Sequence, residues 1–329
     1  MLTGAALCTE LEADLHESPI SSTYFQTNYP FGRVKQIKYI MKDKICLITG
    51  ANSGIGKVTA LELAKQGAHI VMLCRNEEKA EQAKADILAA CDHDKVNIVL
   101  ADLASVEQIK QAADRIRGEY PKIDVLINNA GLLMGNQREL TQDGFEMTLG
   151  VNHLAPFLLT HLLLDQIIAS GRGNIINVSS EAHRFAKLKF KNLQYEKGGY
   201  SGMKAYCRSK LCNILFTHEL SKRLKDTCTV TNALHPGAVA TNFGQGVSGW
   251  MGTVMRLARP LMISEEKGAQ TSIYLATSGE GYTVSGKYFK NEKISEPTKE
   301  ATSDYNAKRL WEISEELLDI SFEAQAVGS

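Results

Sequence analysis

The sequence predicts an α/β fold in which a parallel sheet is covered on both faces by helices. Three observations carry that expectation. Short apolar, β-rich runs alternate with helical patterns from Lys44 onward. The first run passes directly into a glycine-rich turn and then a helix. No composition break, internal repeat or low-complexity tract divides residues 42–320. Strands buried on both faces read as continuous apolar runs, and right-handed crossovers wind the chain outward in both directions from the first strand. The expected architecture is a doubly wound parallel sheet, the Rossmann fold, in a single domain over 42–320. An N-terminal extension (1–41) and a C-terminal tail (321–329) flank it.

Each element has its own signal. Residues 45–49 form an apolar strand, and 54–66 have helical periodicity. A second strand is expected at 69–74, and an Ala/Glu/Lys-rich helix at 77–90. Strand 96–101 precedes helix 105–120, and strand 124–128 precedes a long helix within 141–169. Strand 174–179 leads into a long loop, then helix 203–224 and strand 229–234. A helix at 264–278 and a strand at 285–289 complete the alternation. Leu310, Trp311, Ile313, Leu317 and Leu318 give 298–318 the apolar stripe of a helix packed on the domain edge.

Composition narrows the function. The 329 residues are 44% hydrophobic and 22% charged, with 37 basic and 37 acidic side chains. A net charge of zero argues against a nucleic-acid partner. Seven scattered cysteines form no Cys-x-x-Cys pair, which points to reduced thiols and gives no metal-ligand spacing. Residues 1–22 are acidic and lack the basic start and apolar run of a signal peptide. The longest apolar run, 157–168, is interrupted by His161, Asp165 and Gln166, short of the ~20 residues a membrane span needs. The expected location is cytoplasmic, with peripheral membrane contact as a further partner expectation.

The turn Thr49-Gly50-Ala51-Asn52-Ser53-Gly54-Ile55-Gly56 joins the first strand to the first helix. Glycines permit a tight turn and close approach of a pyrophosphate, and the helix N-terminus behind them favours negative charge. The spacing is Gly-x-x-x-Gly-x-Gly, and a purely structural glycine turn is the alternative. The second strand ends in Cys74-Arg75, where a carboxylate would bind the ribose hydroxyls of NAD. A missing carboxylate removes repulsion, and a guanidinium pairs with a 2′-phosphate, so NADP(H) is the expected cofactor. A solvated surface arginine is the alternative.

Tyr206 and Lys210 stand four residues apart and share one helix face. An ammonium held nearby favours the phenolate, so Lys210 is expected to lower the Tyr206 pKa. With Asp102-Leu103, Asn128-Asn129-Ala130-Gly131, Asn152, Ser179-Ser180 and Pro236-Gly237, the ordered set resembles the short-chain dehydrogenase/reductase family over about residues 42–320. Further runs, Leu149-Gly150-Val151-Asn152-His153-Leu154 and Ser285-Gly286-Lys287-Tyr288-Phe289 among them, are similar to its retinol dehydrogenase-like branch. The resemblance implies hydride transfer between NADP(H) and a lipophilic carbonyl or alcohol, of retinal type.

In that reading Tyr206 is the general acid/base, and Lys210 tunes it and holds the nicotinamide ribose. Ser180 binds the carbonyl oxygen, and Asn152 holds a water. Gly50, Asn52, Ser53, Gly54, Ile55, Gly56, Arg75, Asp102, Leu103, Asn129, Ala130, Gly131, Pro236, Gly237, Val239 and Thr241 contact the cofactor. Structural alternatives stand beside these roles: the serines ending a strand, Asn152 stabilising a helix kink, Asp102 capping the helix near Ser105. Ser180 and Tyr206 are 26 residues apart, against about a dozen in much of the family, so the serine assignment requires segment 181–204 to fold back. Apolar segment 243–263 suits a substrate lid, a core helix or a membrane contact. The long helices suit a homodimer interface. Rival functions are a steroid or other carbonyl reductase and a catalytically silent nucleotide-binding regulator.

Overall fold

The computed structural model describes residues 39–237 and 263–322. Its eight strands form one sheet, in the order β3-β2-β1-β4-β5-β6-β7-β8. They are β1 (Ile45–Thr49), β2 (His69–Cys74), β3 (Val96–Leu100), β4 (Val125–Asn128), β5 (Asn174–Val178), β6 (Val230–His235), β7 (Tyr288–Lys290) and β8 (Lys293–Ile294). All pairings are parallel except β7 with β8. Cys46 of β1 stands opposite Ile70 of β2 on one side and Val125 of β4 on the other. The order reverses at β1, which opens a crevice at the carboxyl ends of the strands.

The period of two in β1 assigns its side chains to two cores. Cys46 and Ile48 join the layer containing helices α1 (Gly54–Ala64), α2 (Glu77–Leu88), α6 (Glu265–Thr277) and α7 (Gly279–Thr283). Leu47 joins the opposite layer, with α3 (Val106–Glu119), α4 (Met147–Ile168), α5 (Gly202–Arg223) and α8 (Asp304–Leu318). In that second layer Phe157, Phe216, Trp311 and Phe322 are buried; Phe216 and Trp311 stack and the other pairs meet edge to face or tilted, with Phe157–Trp311 centroids 4.8 Å apart. Burial of each such side chain contributes about 1.5–3 kcal/mol, before the entropy of ordering it.

Helix boundaries follow local chemistry. Asn76 and Ser105 accept main-chain N–H bonds from Lys79 and Gln108, capping α2 and α3. Ser105, not Asp102, thus caps α3. Among the described residues, only α4 is long and apolar enough to cross a membrane. Most of it is buried between the sheet, α3, α5 and α8, as suits a core helix. Its first turns loosen into a π-helical segment, Gly150–Leu154, around Asn152.

The described fold differs from the sequence expectation at its margins. Tyr39 stacks on Tyr282 at 4.1 Å, its N–H donates to the Thr277 carbonyl, and Met41 is buried, so packing begins inside the expected extension. Phe322 is buried and carries the packed unit into the expected tail. The last expected strand shifts to β7, and antiparallel β8 was not foreseen. Cys46, Cys74, Cys91, Cys207 and Cys212 are free thiols. The all-reduced reading does not extend to Cys228, which is disulfide-bonded.

Candidate active site

The β1–α1 turn is built by close backbone packing. Gly50 and Gly54 take positive φ, +67° and +56°, which side chains other than glycine resist. A methyl on Gly56 would meet the Gly50 carbonyl oxygen at 2.4 Å and Asn129 Nδ2 at 2.5 Å. The end of β4 locks the turn. Asn129 Nδ2 donates to the Thr49 carbonyl at 2.8 Å, and the Asn129 and Ala130 N–H groups donate to Thr49 Oγ1 at 3.0 and 2.9 Å. Ser53 takes the N-cap position of α1 without a side-chain bond to the helix. The first turn of α1 therefore lacks a side-chain cap at the place where a pyrophosphate would lie. The chain's geometry fits a dinucleotide here.

Beyond β2, the thiol of Cys74 is bonded to the main chain of Ala51 and Asn52, inside the turn. Burial raises its pKa to about 11, so it stays neutral. Arg75 projects past it, 73% exposed, with its guanidinium 3.7 Å from the Asp102 carboxylate. Asp102 Oδ1 accepts from the Ala104 N–H at 3.0 Å and fixes the loop that continues through Leu103.

The reacting end gathers at β5, α4 and α5. Ser179 is buried, and its hydroxyl donates to the Lys210 carbonyl at 2.7 Å. Ser180 is the serine whose hydroxyl bonds to Tyr206. The two serines thus separate into a structural member and one in contact with the phenol. Lys210 Nζ donates to the Val178 carbonyl at 2.9 Å and lies 5.7 Å from the Tyr206 ring centroid. A methyl on Gly131 would stand 3.3 Å from that Nζ, so glycine keeps this approach open.

Burial raises the Tyr206 phenol to about 12, and the Ser180 hydrogen bond opposes this only in part. The expected lowering by Lys210 is therefore not seen in the chain by itself. Burial in turn lowers Lys210 to about 8. Desolvation outweighs mutual attraction at this separation.

Asn152 is held by both ends of its amide. Its Oδ1 accepts from the Leu132 N–H at 2.8 Å, and its Nδ2 donates to the Leu132 carbonyl and to Ser209 Oγ. Ser209 Oγ donates onward to the Tyr206 carbonyl at 2.8 Å. Asn152 thus ties the loop after β4 to α5, and its side-chain hydrogens are already engaged. Segment 181–204 does fold back. Arg208, buried in α5, donates to the carbonyls of Lys187, Asn192 and Leu193 and stacks 3.9 Å from the Tyr195 ring centroid.

The structure brings together the glycine turn, Arg75, Asp102, Asn129, Gly131, Asn152, Ser180, Tyr206, Lys210 and Pro236-Gly237 at the carboxyl edge of the sheet. Val239, Thr241 and all of the expected lid but Ile263 lie outside the described residues. Sequence reasoning missed Thr49, Ser209 and the Val178 carbonyl. Thr49 and Ser209 sit inside the motifs, but only the fold shows what their hydroxyls hold.

A nucleotide-shaped turn beside a serine–tyrosine pair backed by a buried lysine defines the class: a dinucleotide-dependent oxidoreductase. The chain belongs to the short-chain dehydrogenase family, whose model matches residues 44–252. It is 43% identical to human retinol dehydrogenase 13 over 301 residues, 89% of this chain and 90% of that protein. Human retinol dehydrogenase 12 is 41% identical over 292 residues, 89% of this chain and 92% of that protein. Among solved structures, an uncharacterised protein from Mycobacterium paratuberculosis matches with a TM-score of 0.70 and 30% identity, covering 87% of this chain and 97% of that one. A short-chain dehydrogenase from Escherichia coli CFT073, solved with NADPH, matches the fold with a TM-score of 0.62 and 24% identity, covering 77% and 98%.

Proposed function

We propose that the protein is an NADP(H)-dependent oxidoreductase that moves hydride between the nicotinamide and a lipophilic carbonyl or alcohol of retinal type. The observation that carries this reading is the hydrogen bond from Ser180 to Tyr206 with the buried Lys210 beside them. Reduction needs a carbonyl oxygen held where charge develops, and a proton for it. Ser180 holds that oxygen. Tyr206, kept protonated by its surroundings, delivers the proton from its Oη in reduction and takes it back in oxidation. Lys210 supplies positive charge beside the phenol and a donor toward the nicotinamide ribose. NADP(H), when bound, supplies the hydride. Gly50 to Gly56 admit its pyrophosphate, Asn129 to Gly131 flank a ribose, and Asp102-Leu103 border the adenine.

The preference for NADP(H) rests on the neutral Cys74 and the exposed Arg75 at the end of β2. It agrees with the NADPH and NADP complexes among fold relatives. The substrate class rests on the retinol dehydrogenase relatives. The test is to follow NADPH absorbance with the purified chain and retinaldehyde, alongside a panel of steroid and short-chain carbonyls. Turnover of retinaldehyde with NADPH over NADH is expected. Tight NADPH binding without turnover of any carbonyl would overturn the enzymatic reading.

A further inference from the structure

Glu181 follows Ser180 directly and opens a 3-10 turn, Glu181–Phe185, at the end of β5. Its carboxylate is held from three directions. Oε1 accepts from the buried Tyr288 phenol at 3.0 Å, and Oε2 accepts from Lys290 Nζ and Arg184 Nε, both at 3.1 Å. Its main-chain N–H donates to His235 Nδ1 at 3.3 Å. One residue therefore ties the end of β5 to β7 through its side chain and to the end of β6 through its backbone. His235 immediately precedes Pro236-Gly237, the strand end expected at the nicotinamide.

The same turn fixes Ser180. Its hydroxyl oxygen accepts from the Ala182 N–H at 3.2 Å, which restricts how Oγ meets Tyr206. Its carbonyl accepts from the His183 N–H at 3.1 Å and lies 2.7 Å from His183 Nδ1. The Thr298 N–H donates to His183 Nε2, which assigns the ring proton to Nδ1 and makes it the donor to Ser180. Burial alone would raise the Glu181 carboxyl, but hydrogen bonds from Lys290, Tyr288 and Arg184 outweigh it and hold it at about 2. Glu181 is a fixed anion across the working pH range, and its three donors match an ionised carboxylate.

We propose that Glu181 is a positioning residue that orients Ser180 toward Tyr206. The proposal rests on the reading of Ser180 as the hydroxyl that binds the substrate oxygen. Glutamine at this position keeps the size and the bond from Tyr288, but its amide nitrogen cannot accept from Lys290 or Arg184. Small displacements at a reacting centre are costly, so Glu181→Gln should lower kcat for retinaldehyde reduction roughly 10- to 100-fold. KM and the NADPH dissociation constant should move little.

A double-mutant cycle with Ser180→Ala tests the route of action. If Glu181 acts through Ser180, adding Glu181→Gln to Ser180→Ala leaves kcat where Ser180→Ala alone puts it. Two losses that multiply would overturn the proposal, since Glu181 would then act elsewhere. Wild-type kcat in Glu181→Gln, with Ser180→Ala impaired, would overturn it and leave the mechanism standing. Wild-type kcat in Ser180→Ala would overturn both. Should Glu181→Gln fail to fold, Tyr288→Phe removes one of the three donors and enters the same cycle, read against the same outcomes.

Discussion

At the scale of single residues the site is a balance between burial and charge. Tyr206→Phe keeps the ring and removes only the transferable proton. Positioned acid catalysis contributes ~10²–10⁴-fold, so turnover should fall by that order while NADPH still binds, as fluorescence titration would check. Lys210 carries the pH dependence. Burial lowers it to about 8, so its ammonium is lost as pH rises through that value. The rate of reduction should fall above about pH 8. In Lys210→Arg, where the guanidinium keeps its proton, the remaining activity should lack that falling limb. Arg75 is a surface cation, and water screens its charge. Arg75→Ala should cost about ten-fold in NADPH affinity and leave NADH affinity unchanged, as paired binding isotherms would show.

At the scale of elements, the sequence was most legible where local chemistry and tertiary role coincide. The alternation of apolar runs from Ile45 to His235 foretold every central strand, because strands buried on both faces are rich in apolar and β-branched residues. The turn around Gly50 to Gly56 was legible because only glycine tolerates its angles and contacts. Beyond those positions legibility fell. Short β8 has no pattern of its own and exists only by pairing with β7. The raised Tyr206 pKa depends on how deeply the fold buries the phenol, which spacing does not reveal. The path of 181–204 is fixed by Arg208, a residue that reads from sequence as an ordinary helix cation. Its buried guanidinium satisfies three carbonyls of that segment. Hydrogen bonds to charged groups contribute roughly 1.5–3 kcal/mol, and Arg208→Lys, which cannot span the same carbonyls, should cost about that much. Urea unfolding would measure it, and limited proteolysis should show 181–204 cut first.

At the scale of the whole molecule, α8 changes the expected assembly. The family resemblance suggests a two-fold contact through the long helices α4 and α5. In the structure that contact surface is covered from within the chain. Trp311 packs on Phe157 and Phe216, and the Arg223 guanidinium covers the Trp311 ring at 4.1 Å. His153 Nε2 meets Ser314 Oγ at 2.9 Å, and Asp304 bridges to His218 and Lys222. A second copy could use this face only by displacing α8 and exposing those rings. We therefore expect a monomer of 36.2 kDa at micromolar concentration in sedimentation velocity, in place of the homodimer. The same junction should be acid-sensitive. Burial lowers the His153 pKa to about 3, below its ordinary value of about 6.5. The unfolded chain then binds a proton that the folded chain refuses, so stability is full above pH ~6.5 and falls as pH drops toward 3. The loss approaches roughly 1.4 kcal/mol per pH unit for this one group. The thermal midpoint should fall across that window, and His153→Leu should flatten the fall even where it lowers the midpoint at neutral pH. A dimer at micromolar concentration would overturn the monomer expectation, and an acid slope unchanged in His153→Leu would show that His153 does not carry the acid sensitivity.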